Sequence, residues 1–453
     1  MIGSWLLLCL LANSALAQTT RLNSTVFRLD SLYSQLYDYG EFNGNVLVAR
    51  KGKIIFQKSY GVADSLLARP LDATSVFYLA SVSKQFTATA ILLLAKEGKL
   101  STQDKLATYI PELAFYPTIT INELIHHTSG LPDYESLFDK EWEAGRVVTN
   151  ADVINRLQAM KPAVVSGPNE KFDYSNTGYI LLGSIVERVS GKPFGQFLDE
   201  RLFKPLKMNH TALLQVHKGG PVDAAITKAY YEDADQRAYV KQYDGIYGPG
   251  RVYSTCGDLF RWDRALRKNT FLTEADKKLV FSSSPLKSGE ETDYGFGWFL
   301  KKEPPYGNVA YHSGTWPGFL TYFERHLDND NTIIILQNND NRTGKQRLPA
   351  AETQRILYRL PLKKDFRLPD TLLQKYAGTY LNEKGQQANV SFKHHSLWVN
   401  GFDLTPESEA KFSVNGFRPP VSYTFTLNAD GTVEKYRIEQ LGQSVDRTYL
   451  RKK

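Results

Sequence analysis

The stretch that decides the fold is Phe77-Tyr-Leu-Ala-Ser81-Val-Ser-Lys84-Gln-Phe-Thr-Ala-Thr-Ala-Ile-Leu-Leu-Leu-Ala95, a serine and a lysine three residues apart opening an apolar run. On a helix, positions i and i+3 share a face with β-carbons about 5–6 Å apart, so the Lys84 amine reaches the Ser81 hydroxyl. A free hydroxyl is a weak nucleophile and needs such a base. From Phe86 to Ala95 almost every position is apolar or small, which predicts a helix buried on all sides. Burial and the positive end of the helix dipole both lower the pKa of a lysine at its start, toward the range where it accepts a proton. Gly98 is the natural stop.

Outward from this helix, 453 residues, 42% hydrophobic and 12% aromatic, allow two or three globular domains and exclude a disordered chain. Met1 to Ala17 carries the apolar run Trp5–Ala12 and ends in Ala15-Leu16-Ala17, small-x-small before Gln18. This predicts a secretory signal peptide cleaved after Ala17, hence a secreted or periplasmic protein. No later stretch reaches the roughly 20 apolar residues of a membrane span. Cys9 belongs to the signal, which leaves Cys256 alone and no intrachain disulfide. Cys256 reads as a small buried thiol, not a nucleophile. The formal charge of +7 is spread without a long block, which speaks against nucleic acid and leaves at most a bias toward anionic envelope polymers.

Taken in order, the chain opens with an amphipathic helix over Thr25–Tyr39 and a hairpin of Gly44–Ala49 and Ile54–Tyr60 around Arg50-Lys-Gly-Lys53. Past the nucleophile helix come short helical pieces from Ser101 to Ile125 and the turn-rich His126-His-Thr-Ser-Gly-Leu-Pro-Asp-Tyr134. Adjacent histidines face different ways and lack further ligands at helical or hairpin spacing, so no metal is expected. Helices are predicted over Asn150–Lys161, Gly178–Val189 closed by Gly191, and Ser254–Leu266. Tyr294–Leu300 and Ala310–Gly314 are short strand candidates, and Phe319–Arg325 with Thr332–Gln337 makes a hairpin around Leu327-Asp-Asn-Asp-Asn331. That turn lacks the glycine and closing glutamate of a calcium loop. Leu360–Pro369 reads as a linker. Beyond it, alternating apolar positions from Val390 to Ile438 with Asn-Gly and Asp-Gly turns predict a small all-β module.

Three patterns carry the chemistry: Ser81-x-x-Lys84, Tyr174-x-Asn176 and His312-x-Gly314. Each also occurs by chance, as Ser284-x-x-Lys287, Tyr306-x-Asn308, Tyr380-x-Asn382 and His217-x-Gly219 show. Context separates them, because only the first set sits on a helix start, a loop and a strand that can converge on one cleft. The combination resembles the serine β-lactamase and penicillin-binding-protein superfamily. Within it, the chain is similar to the class C β-lactamase branch and its relatives, the serine D-alanyl-D-alanine carboxypeptidases, D-aminopeptidases and β-lactamase-like esterases. The resemblance runs from about Thr25 to Tyr358, anchored at Phe77–Thr87, Ile125–Tyr134, Phe172–Gly183, Leu202–Thr211, Ser254–Trp262 and Tyr311–Gly314. The β-lactamases of that branch begin the third motif with lysine. His312 there looks more like the carboxypeptidase and aminopeptidase relatives.

The resemblance implies an α+β fold: a β-lactamase/transpeptidase-like antiparallel sheet flanked by helices, with a helical subdomain, over residues 18–360, then a linker at 361–369 and a small barrel-like all-β domain at 370–453. It implies that Ser81 forms an acyl-enzyme, with Lys84 and Tyr174 sharing the general-base task and Tyr174 returning the proton to the leaving group. Asn176 would hold the substrate amide or the Lys84 amine. The N–H groups of Ser81 and Thr315 would form the oxyanion hole, with Ser313, Gly314 and Trp316 beside the substrate. His312 would hydrogen-bond Tyr174 and, when protonated, hold a substrate carboxylate. No metal or other cofactor is implied. The expected substrate is a D-amino-acid peptide, a peptidoglycan-type peptide or a small ester. The alternatives are a sensor that binds β-lactam or peptidoglycan without turnover, and a true β-lactamase. The α/β-hydrolase elbow Gly-x-Ser-x-Gly, His-Glu-x-x-His and a phosphate-binding glycine loop are absent from the sequence.

Overall fold

In a computed structural model, residues 23–452 are described, apart from 65–67, 139–145, 215–225, 229–238, 270, 339–345, 363–366, 394, 400–401, 415–420 and 441–446. The expected signal peptide and part of the expected linker lie outside the described residues. The chain divides into two compact units, Met1–Leu360 and Pro361–Lys453.

The first unit is built on a six-stranded antiparallel sheet. Its strands are β1 (Gly44–Arg50), β2 (Lys53–Tyr60), β3 (Phe299–Glu303), β4 (Gly307–Trp316), β5 (Phe319–His326) and β6 (Asn331–Asn338), in the order β2-β1-β6-β5-β4-β3. The N-terminal hairpin thus joins the C-terminal strands through β1 and β6, in the register Gly44↔Gln337 to Ala49↔Thr332. Gly44 is needed at this seam, since a β-carbon there would stand 2.2 Å from the Leu336 carbonyl oxygen. β1 and β6 are buried almost throughout, as strands covered by helices on both faces must be. The opening helix, α1 (23–38), packs Leu29, Tyr33 and Leu36 on one face together with Ile356 and Leu357.

The other face carries the helical part. The nucleophile helix, α2 (Lys84–Lys96), has every residue from Lys84 to Leu92 buried. Its polar side chains there are satisfied locally: Gln85 accepts from the Trp262 indole at 2.6 Å, and the Thr87 hydroxyl donates to the Gly248 carbonyl at 2.7 Å. It ends as expected, with Gly98 left-handed and its N–H donating to Ala95 O. Helix α3 (Asn150–Met160) starts on a Thr149/Asp152 capping box. Helix α4 (Asn176–Ser190) begins two residues before its predicted start, because Ser175 caps it by accepting from the Gly178 N–H, and it closes at Gly191. Helix α5 (Cys256–Arg267) starts later than predicted. Thr255 is its cap, and Ser254 instead pairs with Phe77 in a small sheet.

The expected strand Tyr294–Leu300 is reduced to its last two residues, the start of β3. Gly297 explains why: it is left-handed, and a β-carbon on it would lie 2.5 Å from the Gln85 amide nitrogen. The segment Tyr294–Trp298 is a turn laid on α2. No helix among the described residues is long and apolar enough to cross a membrane.

The second unit is a closed barrel of eight antiparallel strands from Gly378–Asn382 to Arg447–Arg451. It is not wholly β: a seven-residue helix, α6 (Asp370–Tyr376), precedes the barrel and sends Leu373 and Tyr376 into its core. Their i, i+3 spacing places both on one helix face. The Tyr376 and Tyr380 hydroxyls donate to the carbonyls of Glu409 and Tyr376, each at 2.7 Å.

Candidate active site

Ser81 lies in a 3-10 turn, Ala80–Ser83, that runs directly into α2. Ala80 is left-handed at φ 48, a conformation that costs a non-glycine residue on the order of 1–3 kcal/mol and recurs at functional sites. The turn is wedged against β4. Gly314 is required there, since a β-carbon would stand 2.2 Å from the Leu79 carbonyl oxygen.

The Lys84 Nζ is 3.0 Å from Ser81 Oγ, 2.8 Å from Asn176 Oδ1 and 3.2 Å from the Pro249 carbonyl oxygen. Lys84 is 0% exposed. Burial drives its pKa well below 10.5, opposed only by the charge of Asp133. A neutral amine has two N–H groups and one lone pair. Asn176 Oδ1 and Pro249 O accept from the Lys84 amine, so a neutral amine holding both contacts would turn its lone pair to the Ser81 hydroxyl.

Tyr174 places its ring centroid 4.8 Å from Lys84 Nζ. Burial raises its phenol pKa, against a smaller lowering by a hydrogen bond with Ser81. His312 differs from expectation. It is 1% exposed, its Nε2 accepts from the Tyr294 hydroxyl at 3.0 Å, and its Nδ1 donates to the Ser313 carbonyl at 2.6 Å. Tyr174 is a ring neighbour at 6.1 Å, not its hydrogen-bond partner. Burial first, then the Lys84 charge, pushes the His312 pKa down to about 3, which disfavours the protonated form in which it would hold a substrate carboxylate.

Ser81, Asn176, Thr315 and Trp316 line one cavity of about 640 Å³. Ser313 is half-buried on β4, and Thr315 pairs with Leu320 across the β4–β5 ladder. The Trp316 ring stands 5.9 Å from Tyr78 and 5.4 Å from Tyr239. The chance match Ser284/Lys287 is elsewhere: Ser284 bonds Asn122, and Lys287 is exposed beside Glu170.

Sequence reasoning passed over His127. It is fully buried at φ 57, its carbonyl accepts from the Asp173 N–H at 2.8 Å, and its Nδ1 accepts from the Ser175 N–H at 3.0 Å. These two bonds bracket Tyr174, whose ring packs on the imidazole at 4.2 Å. Its Nε2 has no hydrogen-bond partner among the described residues. The neighbour His126 turns away, its Nδ1 2.9 Å from Asn122 O. The only sequence signal was the histidine pair itself, which was weighed only as a metal site and set aside. Tyr294 and the Pro249 carbonyl were also missed, the first hidden in a strand-like run and the second a backbone group. Cys256 is buried, and burial pushes its thiol pKa up, which makes it unreactive.

A serine hydroxyl facing a buried lysine amine, its pKa lowered by burial, is the arrangement of serine hydrolases that use lysine as base. The model of the Beta-lactamase family matches residues 29–355, and the chain belongs to that family. It is 34% identical over 439 residues to penicillin-binding protein 4* of Bacillus subtilis, covering 90% of this chain and 97% of that one. It is 27% identical over 381 residues to the Escherichia coli protein named "Putative D-alanyl-D-alanine carboxypeptidase", covering 72% and 84%. The fold resembles the crystal structure of D-amino acid amidase from Ochrobactrum anthropi SV3 complexed with L-phenylalanine amide. The TM-score is 0.57 at 22% identity, covering 70% of this chain and 91% of that one.

Proposed function

We propose that this protein is an exported serine hydrolase that opens amide or ester bonds of D-amino-acid peptides or amides through an acyl-enzyme on Ser81. The observation that carries it is the buried Lys84 amine, 3.0 Å from Ser81 Oγ, with its pKa lowered by burial. Lys84 takes the Ser81 proton as the hydroxyl attacks the carbonyl carbon. The oxyanion is received by the N–H groups of Ser81 and Thr315, two residues that line the same cavity. Tyr174, kept as a phenol by its raised pKa, does not act as a phenolate base at neutral pH. It relays the proton to the leaving group as the tetrahedral intermediate collapses. Water then attacks the acyl-enzyme with Lys84 again as base. His312 serves as a neutral support through Tyr294 rather than as a carboxylate anchor.

Export rests on the Met1–Ala17 leader, and the substrate class on the relatives named carboxypeptidase and amidase. The test is labelling of the mature protein with a fluorophosphonate, together with turnover of nitrophenyl acetate and D-alanine amide. Ser81→Ala should lose the label and roughly 10⁶ in kcat, the scale for losing a serine nucleophile. Retention of more than a few per cent of activity would overturn the mechanism. A second outcome, labelling without turnover of any substrate, would make the protein a sensor that acylates.

A further inference from the structure

We propose that His127 is the positioning residue of the proton relay: its Nδ1 holds the Ser175 N–H and thereby fixes Tyr174 where the phenol can protonate a departing group. The inference rests on the hydrolase reading above and gives a part to a buried side chain that the mechanism there leaves unused.

Tyr174 lies outside helix and strand, two residues before α4, so no ladder fixes its backbone. Its segment hangs instead on residues 127–130. The N–H groups of Val165, Asn169 and Asp173 donate to the carbonyls of Gly130, Thr128 and His127, each at 2.8 Å. On the other side of Tyr174, the Ser175 N–H donates to the His127 ring at 3.0 Å. The Tyr174 ring lies 4.2 Å from the imidazole, nearer than Phe299 or His312, each at 6.1 Å.

Packing alone does not account for a histidine here. His127 is fully buried and left-handed, a backbone state that recurs at functional sites. With Nδ1 accepting, the ring proton sits on Nε2, which has no hydrogen-bond partner among the described residues. A buried N–H left unpaired destabilises the fold. An apolar side chain would therefore suit the surrounding rings of Phe172, Tyr179 and Tyr294 better. What the histidine adds is the acceptor at Nδ1. Burial, then the Lys84 charge, lowers its pKa well below 6.5, which favours the neutral ring that acceptance requires.

In the relay, the bond from the tetrahedral carbon to the leaving nitrogen or oxygen breaks as the Tyr174 O–H gives that atom its proton. The Lys84 ammonium, which carries the Ser81 proton, then restores the phenol. A group that leaves as a stable anion needs no such proton.

Two acetates with the same acyl group separate these cases. Ethyl acetate releases an alcohol that must be protonated, and nitrophenyl acetate releases a phenolate unaided. The ratio of their kcat/KM values, ethyl over nitrophenyl, does not depend on how much of a variant is folded. His127→Asn keeps an acceptor close to the Nδ1 position, His127→Gln carries its amide out to the Nε2 position, and His127→Leu has no acceptor. His127→Gln and His127→Leu should lower the ratio by roughly 10–10², the scale of a misplaced catalytic group, while His127→Asn stays within about threefold of the unaltered protein. If His127→Leu does not fold, His127→Gln carries the comparison. A ratio kept by His127→Gln, or lost as far in His127→Asn, overturns the role of His127. Tyr174→Phe is the reference. A lowered ratio there, with every His127 variant unchanged, leaves the relay standing and removes only the part given to His127. An unchanged ratio in Tyr174→Phe, or fluorophosphonate labelling without turnover of either acetate, overturns the relay and this inference with it.

Discussion

Gly314→Ala is the sharpest perturbation of the junction between β4 and the nucleophile turn. The added methyl would meet Leu79 O at 2.2 Å, Thr321 Oγ1 at 2.4 Å and Ala80 Cβ at 3.1 Å. Two of these atoms already bond each other, Thr321 Oγ1 donating to Leu79 O at 2.8 Å, so neither can step aside alone. Relief requires β4 to retreat from the turn by about 1 Å to reach ordinary contact. The proposed oxyanion donors sit on opposite sides of that junction, Ser81 N on the turn and Thr315 N on the strand. Their spacing opens by the same amount, and a misplacement of about 1 Å costs on the order of 10²-fold in rate. The overpacking itself should cost about 1–3 kcal/mol of stability. Gly257→Ala is the control. It lies in α5, its nearest contacts would be 3.7 and 3.9 Å away, and it should gain up to about 1 kcal/mol of helix propensity with unchanged activity. The assay pairs kcat/KM on nitrophenyl acetate with the urea midpoint at one pH. Full activity in folded Gly314→Ala would show that β4 does not supply half of the oxyanion hole.

Tyr174→Phe should lose about 10²–10⁴ in kcat with little change in KM, the usual scale for a lost acid–base group; a KM effect alone would make Tyr174 a packing residue. A chain ending at Lys364 should remain soluble and keep Ser81 reactive toward fluorophosphonate, because the candidate residues all precede it; cooperative loss of the fold would place the barrel unit in the main core. Penicillin should acylate Ser81 and leave a mass adduct that hydrolyses slowly, since the tethered leaving group obstructs incoming water. Rapid multiple turnover by intact-protein mass spectrometry and absorbance would instead make this a β-lactamase.

The parts of the fold legible in the sequence were those written in local patterns. The apolar run after Lys84 gave a buried helix, Gly98 and Gly191 marked helix ends, and the alternation beyond Val390 announced a β module that closes into a barrel. Boundaries slipped where a cap overrode the apolar pattern, as at Ser175 and Thr255. The turn Tyr294–Trp298 could not be read, because its cause is contact with a backbone more than 200 residues away. The candidate site divides in the same way. Ser81 and Lys84 are local, and their meeting follows from helix geometry. The Pro249 carbonyl, the Tyr294 hydroxyl on His312 and the imidazole bracketing Tyr174 are contacts made only in three dimensions. A carboxylate contact by His312, conditional on its protonation, could be entertained because a strand histidine shows nothing of its burial in sequence.

Burial that suits Lys84 to the proposed role of base also makes the resulting ammonium expensive, and the surroundings must limit that cost. When Lys84 takes the Ser81 proton, Asn176 Oδ1 and Pro249 O already accept from it at 2.8 and 3.2 Å. The rings of Tyr174 and Tyr179 stand 4.8 and 5.5 Å from Nζ and offer cation–π stabilisation. Asp133 adds a remote negative charge. Asn176→Ala removes the nearest acceptor, which stabilises the protonated amine more than the neutral one. The Lys84 pKa should therefore fall further below its already lowered value. Activity requires the neutral amine, so it is lost as pH drops through that pKa, and in the variant the acid limb of kcat/KM should move to lower pH. The plateau rate should fall by about 10–10² at the same time, because proton uptake from Ser81 is less favourable. A limb that moves to higher pH would mean that Asn176 opposes the charge on Lys84 instead of sharing it, and the assignment of Lys84 as the base would have to be withdrawn.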